Sequence, residues 1–236
     1  MSMFSRLFEA IGETAATAFS GVVEAVRTVF AGDPETRRRV AFSVAVIALS
    51  AKMAKADGIV APEEVRAFQE IFAFPEAEAA NVARLYNLAK QDVAGYQAYA
   101  QRVAGMCGSG DANCAMLEDV LDGLFHIAKA DGVIHDKELE FIANVADIFK
   151  VDEAHFNQIM ARHVHPNGLN PYAVLGLPES VSFDEAKKRY RTLASENHPD
   201  RLRARGVPDE FLSIANDRMA TLNDAFALIE KARAAA

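Results

Sequence analysis

The sequence predicts an all-α protein. In residues 3–30 apolar side chains recur at steps of three and four, which is the periodicity of an amphipathic helix, and the same spacing returns in residues 184–196. Residues 54–65 resemble residues 128–139, and each copy follows an apolar helical stretch and precedes two shorter ones. An internal repeat of this kind predicts two similar helical units packed together.

Composition and charge limit the classes of partner. Half of the residues are apolar and a quarter are charged, as in an ordinary globular protein. The net charge of -8 lies entirely outside residues 170–236, where acidic and basic residues balance. We therefore expect no nucleic-acid partner, since such proteins carry a basic excess. No secretory signal is recognisable, because Arg6, Glu9 and Glu13 interrupt the apolar N-terminal segment, and we expect a cytoplasmic protein.

Residues 1–32 are predicted to form an amphipathic N-terminal helix. A membrane span over residues 4–30 is not expected, because it would bury five charged residues in the bilayer. Two interpretations are open: the helix packs on the body that follows, or it lies at a membrane surface. Its acidic polar face favours the first, and membrane contact through residues 3–30 is left open.

Residues 33–165 are predicted to form a helical body. Asp33 can cap a helix that has Pro34 in its first turn, and the apolar run from Val40 to Leu49 should lie in the core. In each repeat an Asp-Gly pair ends a helix, and Pro62 or Asp136 begins the next one. Two cysteines, at positions 107 and 114, make neither a disulfide scaffold nor a zinc site, and we expect reduced thiols.

The two copies resemble the TerB-like helical domain. Acidic residues of that family have been linked with divalent metal, and the resemblance places them in this sequence at Asp57, Glu64, Asp131 and Glu138. The same carboxylates serve equally well as helix caps and turn residues, and their spacing lacks the dense oxygen ligands of an EF-hand. We therefore predict no metal site and no cofactor, while binding of a divalent metal by these four residues stays open.

Residues 170–236 are predicted to form a separate C-terminal unit. A short first element is followed by Gly176, and Ser182 with Glu185 forms a capping box for the next helix. Pro199 stops that helix, and residues 201–207 are expected to be a basic loop before a last helix from about Pro208. The last helix should bury six apolar side chains: Phe211, Ile214, Met219, Leu222, Phe226 and Ile229.

The C-terminal unit resembles the J domain of DnaJ co-chaperones, a small helical hairpin with a His-Pro-Asp tripeptide at its tip. The resemblance implies docking on a DnaK-type chaperone and stimulation of its ATP hydrolysis. Carried over by position, the residues implied for this activity are Lys187, Lys188, Arg189, Arg191, His198, Pro199 and Asp200. We expect no enzyme activity from the chain itself, since it has no phosphate-binding glycine loop with a lysine.

A TerB-like body followed by a J domain resembles the DjlA family of co-chaperones, whose members carry an N-terminal membrane span that residues 3–30 do not match. The leading hypothesis is a J-domain co-chaperone in stress response, with the body selecting a location or a client that the sequence does not name. The alternative is a metal-responsive stress module, similar to tellurite-resistance proteins, with an accessory J domain. A third hypothesis, an enzyme with His198 and Asp200 as an acid–base pair, lacks a nucleophile.

Two further expectations concern the junction between the units. His126 and His155 are interpreted as ordinary helix residues, and His163 and His165 as parts of a polar linker without an acidic partner nearby. Because Pro166, Gly168 and Pro171 interrupt regular structure there, the two domains are expected to move relative to each other.

Overall fold

The computed structural model describes residues 6–9, 19–56, 76–91, 95–105, 114–129, 133–165, 168–205, 207, 209 and 212–235. The regular elements of these residues are helical, which confirms the predicted all-α class. They are a 3₁₀ turn at Glu76–Glu78 and the helices α1 (Phe19–Val29), α2 (Pro34–Ala56), α3 (Ala79–Gln91), α4 (Tyr96–Ala104), α5 (Ala115–Ala128), α6 (Asp136–Ile148), α7 (Glu153–Met160), α8 (Pro171–Leu175), α9 (Phe183–Glu196), α10 (Pro199–Arg205) and α11 (Leu212–Ala235).

Helix α2 is the centre of the body, which we define as α1 to α7. It begins as predicted, with Pro34 in its first turn and the Asp33 side chain accepting a hydrogen bond from the Thr36 amide at 3.0 Å. Every residue from Val40 to Leu49 is buried. Helices α3, α4, α5 and α6 all pack against α2, because a helix that is apolar on all sides must be covered on all sides.

The N-terminal segment packs on the body wherever the structure describes it. Residues 6–9 are helical, and Leu7 and Phe8 are buried in the core that also contains α2. Val22 and Val26 of α1 lie in the same core. Of the predicted continuous helix over residues 3–30, residues 10–18 lie outside the described ranges. Among the described helices, none is long and apolar enough to cross a membrane.

The second copy of the repeat leads into α6, which begins at Asp136 as predicted. Residues Asp57, Glu64, Gly58 and Pro62 of the first copy, and Asp131 and Gly132 of the second, lie outside the described residues. The prediction of reduced thiols is wrong for Cys114, which is disulfide-bonded. Two cysteines are too few for a scaffold of several disulfides, but they are sufficient for a single one.

The C-terminal unit consists of α8 to α11 and has a small core of its own, in which Val174, Leu193 and Leu222 are buried. Its first elements are capped as predicted: the Ser182 hydroxyl accepts from the Glu185 amide at 3.3 Å. Gly176 ends α8 with a φ of 66°, and a side chain there would lie 2.8 Å from Gln158 of α7. The left-handed φ favours glycine at this position, and a larger residue would also displace the end of the Gln158 side chain.

The predicted basic loop over residues 201–207 is largely wrong, because residues Pro199–Arg205 form helix α10. The physical reason is the apolar side chain of Leu202, which is fully buried against the body and holds this turn of helix in place. The last helix starts at Leu212 and buries Ile214, Leu222 and Ile229 as predicted. Met219 is only partly buried, and Phe211 lies outside the described residues.

The two units are packed together in this structure, which is not the mobile arrangement expected from the linker composition. Four residues of the C-terminal unit belong to the core of the body: Leu202, Val207, Ile214 and Ala215. At a second contact, the Gln158 side chain of α7 donates a hydrogen bond to the carbonyl of Val174 in α8 at 3.3 Å. Proline and glycine indicate only that the connection itself is irregular. Whether the two units separate depends on the apolar surfaces that they bury against each other.

Candidate functional site

The His-Pro-Asp tripeptide forms an exposed turn between α9 and α10. Helix α9 ends at Glu196, and Pro199 is the first residue of α10, a position that tolerates a residue without an amide proton. The His198 carbonyl accepts hydrogen bonds from the amides of Arg201 at 2.8 Å and Leu202 at 3.2 Å. The turn is therefore fixed on both sides by helical hydrogen bonds.

The side chains of His198 and Asp200 point into solvent, with 57% and 77% of their surfaces exposed. The Asp200 amide donates a hydrogen bond to Nδ1 of His198 at 3.3 Å. A neutral imidazole that accepts at Nδ1 carries its proton on Nε2. The turn thus presents a hydrogen-bond donor and a carboxylate side by side to a partner molecule.

Arg203, one turn into α10, holds the carboxylate of the turn. Its Nη1 donates to Asp200 at 3.0 Å, and its Nε donates to Asp209 at 2.7 Å. The hydrogen bond that Arg203 donates to Asp209 and the charges of both aspartates raise the pKa of Arg203. Arg203 was not among the predicted site residues, because a loop at residues 201–207 gives no reason to place position 203 beside position 200. The i, i+3 spacing would have been the signal if the helix had been recognised.

Beside the turn lies an open concave surface with four basic side chains, which we call the cationic face: Lys187, Lys188, Arg191 and Arg201. Lys188, Arg191 and Arg201 are exposed, and Lys187 is half-buried. The acidic side chains on this surface are Asp184 and Glu196, so basic groups outnumber acidic ones. Such a surface favours an acidic partner and attracts it over a distance of roughly 10 Å at moderate salt.

Arg189 lies apart from the cationic face, although the sequence analysis grouped it with the other basic residues of α9. Its Nε donates to the Leu175 carbonyl at 3.2 Å, and its Nη2 to Gln158 of the body at 3.4 Å. This geometry gives Arg189 a role in joining α9 to α8 and α7.

Beneath the turn, Asn197 connects α9 to a buried arginine of α11. The Asn197 amide nitrogen Nδ2 donates to the Leu193 carbonyl at 2.8 Å, and its Oδ1 accepts from Nη1 of Arg218 at 2.5 Å. The same guanidinium donates to Asp119 at 3.0 Å and makes a short hydrogen bond to Asp122, both on α5 of the body. Burial would lower the pKa of Arg218, but the two aspartates raise it.

Asp122 is the most connected carboxylate at the junction. It also accepts from Nη2 of Arg162 at 3.0 Å and lies 2.5 Å from Nε2 of His163. Burial raises the pKa of Asp122, but the charges of Arg162 and Arg218 more than offset this and hold it at about 2. Burial also lowers the pKa of His163, against the effect of Asp122.

The expectation that His163 lacks an acidic partner is wrong, and His126 and His155, interpreted as ordinary helix residues, also lie beside carboxylates. His163 pairs with Asp122, His155 lies 3.2 Å from Glu118, and His126 lies 2.9 Å from Asp217 of α11. These carboxylates are 37 to 91 positions away in the chain, so local sequence could not reveal them. His165 is exposed, as expected of a polar linker residue.

Of the four acidic residues that could bind a metal by resemblance, only Glu138 is described. Its carboxylate accepts a hydrogen bond from the His135 amide at 2.9 Å, which is the helix-capping role that the sequence analysis gave as the alternative. Within the described ranges, no group of three or more histidine, cysteine, aspartate or glutamate side chains is arranged to hold a metal ion.

Comparison with known families agrees with the division of the fold. Residues 43–161 match the family described as tellurite resistance protein TerB, and residues 170–233 match the DnaJ domain. No solved structure matches the chain significantly.

Similar curated proteins are named as co-chaperone protein DjlA. The protein of Photobacterium profundum is 29% identical over 225 residues, which cover 82% of this chain and 78% of that protein. Those of Vibrio cholerae and Haemophilus ducreyi are 43% and 38% identical over 60 and 68 residues, which cover 25% and 29% of this chain and 21% and 24% of theirs. The chain therefore belongs to the TerB family and has the DjlA-like arrangement of a TerB domain followed by a C-terminal DnaJ domain.

Proposed function

We propose that this protein is a J-domain co-chaperone that docks on a DnaK-type chaperone and stimulates its ATP hydrolysis. The observation that carries the proposal is the exposed His198-Pro199-Asp200 turn at the end of a helix with a cationic face. The turn is stiff because Pro199 starts α10 and Arg203 holds Asp200. A partner therefore meets a donor and a carboxylate in fixed positions, without the entropy cost of ordering a loop.

The cationic face and the turn have different tasks in this proposal. Lys187, Lys188, Arg191 and Arg201 bring an acidic groove of the chaperone to the turn, which raises the association rate and weakens with salt. His198 and Asp200 then bind better to the hydrolysing conformation of the chaperone than to its resting one. Stimulation requires such differential binding, because a partner with equal affinity for both conformations leaves their populations unchanged.

The body is proposed to select a location or a client, and the cytoplasm is the proposed compartment. Glu138 is engaged as a helix cap, and no observation favours the metal-responsive alternative over the co-chaperone. Fractionation of cells followed by detection of the protein tests the location, and recovery in the membrane fraction after a salt wash would contradict it.

The test is the single-turnover ATPase rate of a DnaK-type chaperone with the wild-type protein and with His198→Gln. We expect the wild type to accelerate hydrolysis and the variant to lose the acceleration while keeping the wild-type melting temperature. The fold should survive because the His198 ring is more than half exposed and its hydrogen bond is to the amide of Asp200, two positions along the chain. Stimulation retained by His198→Gln, or absent with the wild type, would contradict the proposal.

A further inference from the structure

One buried chain of contacts joins the TerB domain to the residue that precedes the turn. Asp119 and Asp122 of α5 bind the guanidinium of Arg218, and Arg218 binds Asn197, the neighbour of His198. The side chains of the two aspartates are fully buried, and that of Arg218 is 1% exposed. Burial shields these hydrogen bonds from bulk solvent, so their geometry is closely defined.

Arg218 can couple the position of the two aspartates to that of Asn197, because a guanidinium is planar and its donors have a fixed fork geometry. Two of its nitrogens are directed to carboxylates of the body, and Nη1 is shared between Asp119 and Asn197. Asn197 in turn is hydrogen-bonded to the last turn of α9 through both its side chain and its amide. A shift of Asp119 or Asp122 relative to α11 must therefore move either Arg218 or the end of α9.

We propose that Asp119 and Asp122 are positioning residues for the His-Pro-Asp turn, so that the TerB domain sets the orientation of the turn through Arg218 and Asn197. The inference rests on the proposed function and deepens it, since it makes the TerB domain part of the stimulating device. Neither aspartate touches the partner; both act through Arg218.

A purely stabilising role of the same contacts predicts a different result. If the aspartates only held the fold together, their loss would lower the fraction of folded protein. More protein would then be needed for half-maximal stimulation, and the maximal stimulation would be unchanged. If they position the turn, the folded variant still binds through the cationic face, but its maximal stimulation falls.

The experiment is a titration of the DnaK-type ATPase with full-length wild type, Asp119→Ala and the milder Asp119→Asn. We expect the maximal stimulation of Asp119→Ala to fall about threefold to tenfold, the usual size of such coupling effects, at an unchanged half-saturating concentration. Asp119→Asn keeps the shape of the side chain and an acceptor oxygen. Its maximal stimulation should lie between those of the wild type and Asp119→Ala. Unchanged maxima with a raised half-saturating concentration would overturn the inference.

Glu118→Gln is the matched control. Glu118 is the neighbour of Asp119 on α5, but its carboxylate is hydrogen-bonded to Arg162 and paired with His155, and it acts on Arg218 through its charge alone. We expect this variant to keep the wild-type maximum. An equal loss of maximal stimulation in Glu118→Gln and Asp119→Ala would show that any damage to the junction suffices, and it would overturn the specific role of the Arg218 chain.

A second measurement does not depend on the chaperone. The ring signals of His198 in an NMR spectrum of ¹³C-histidine-labelled protein should shift in Asp119→Ala and stay in place in Glu118→Gln. If the wild type fails to stimulate, the proposed function is wrong. The His198 signals alone then show whether Asp119 positions the turn. Unchanged His198 signals in folded Asp119→Ala would overturn the inference in either case.

Discussion

At the scale of single residues, the junction is built from charges that pair across long distances in the sequence. Asp122 lies between Arg162, His163 and Arg218, which come from the end of the body and from the last helix. A buried ion pair costs desolvation, and losing one partner leaves an uncompensated charge at a cost of about 3–5 kcal/mol. Such a cluster therefore contributes more to fixing how the two units dock on each other than to the free energy of unfolding.

The protonation of Asp122 predicts how stability depends on pH. Its pKa is about 2 in the folded protein against an ordinary 3.8, so the unfolded chain binds the proton more tightly. The carboxylate contributes stability above pH 4, and the contribution disappears as the pH falls towards 2. We expect wild type to lose up to about 2 kcal/mol over this range that Asp122→Asn does not lose.

Urea unfolding of both proteins at a series of pH values between 4.5 and 2 measures this difference. Glu118 shares Arg162 with Asp122, and Asp119 shares Arg218 with it, so the difference between the curves reports Asp122 together with these two carboxylates. Parallel curves would show that Asp122 does not have a lowered pKa in the folded state.

At the scale of elements, α9 presents different basic residues to different neighbours. Lys188 and Arg191 face solvent on the cationic face, whereas Arg189 is hydrogen-bonded to Leu175 and Gln158. The resemblance to J domains placed all of these basic positions on the surface that meets the partner. It did not reveal that the side of Arg189 would be covered by α7, because α7 belongs to the other unit.

The two sides of α9 predict opposite effects of charge changes. Reversing the charge in Lys188→Glu with Arg191→Glu should weaken association with the DnaK-type chaperone and remove most of its salt dependence, at an unchanged melting temperature. Arg189→Gln removes one positive charge as well, but it should lower the melting temperature and leave the salt dependence in place. Association rates at several salt concentrations, with thermal melts of each variant, measure both effects. Equal salt slopes for the double variant and the wild type would contradict the assignment.

At the scale of the whole molecule, the C-terminal unit shares a core with the body. Leu202, Val207, Ile214 and Ala215 are buried in the same cluster as the apolar residues of α2 and α5. At the centre of this contact, a side chain on Gly123 of α5 would lie 3.3 Å from Ile214. The two helices therefore approach closely at this point.

We therefore expect the full chain to unfold in one cooperative transition. In calorimetry, the measured enthalpy should equal the van't Hoff enthalpy. Leu222→Ala, in the small core of the C-terminal unit, should destabilise by about 2–5 kcal/mol and lower the single transition as a whole. A separate early transition in this variant, with the remainder unfolding at the wild-type temperature, would show that the units fold independently.

Most of the helices and the turn could be predicted from local sequence patterns. The starts of α2, α6 and α9, the core position of Val40–Leu49 and the exposed His198-Pro199-Asp200 all follow from caps, periodicity and proline, which act within a few residues. The roles of the turn and of the cationic face remain predictions. The resemblance to TerB and J domains rested on the same short-range patterns, and both families are confirmed.

The contacts beneath the turn could not be predicted from local patterns, because they join residues that are distant in the chain. The pairing of Asp122 with Arg218 spans 96 positions, and that of Asp119 with Arg218 spans 99. Helix α10, too, depends on burial of Leu202 against the body. Local propensity describes a residue and its neighbours along the chain, whereas a buried charge finds its partner only when two helices meet. The contacts at the junction between the domains could therefore not be predicted from sequence patterns.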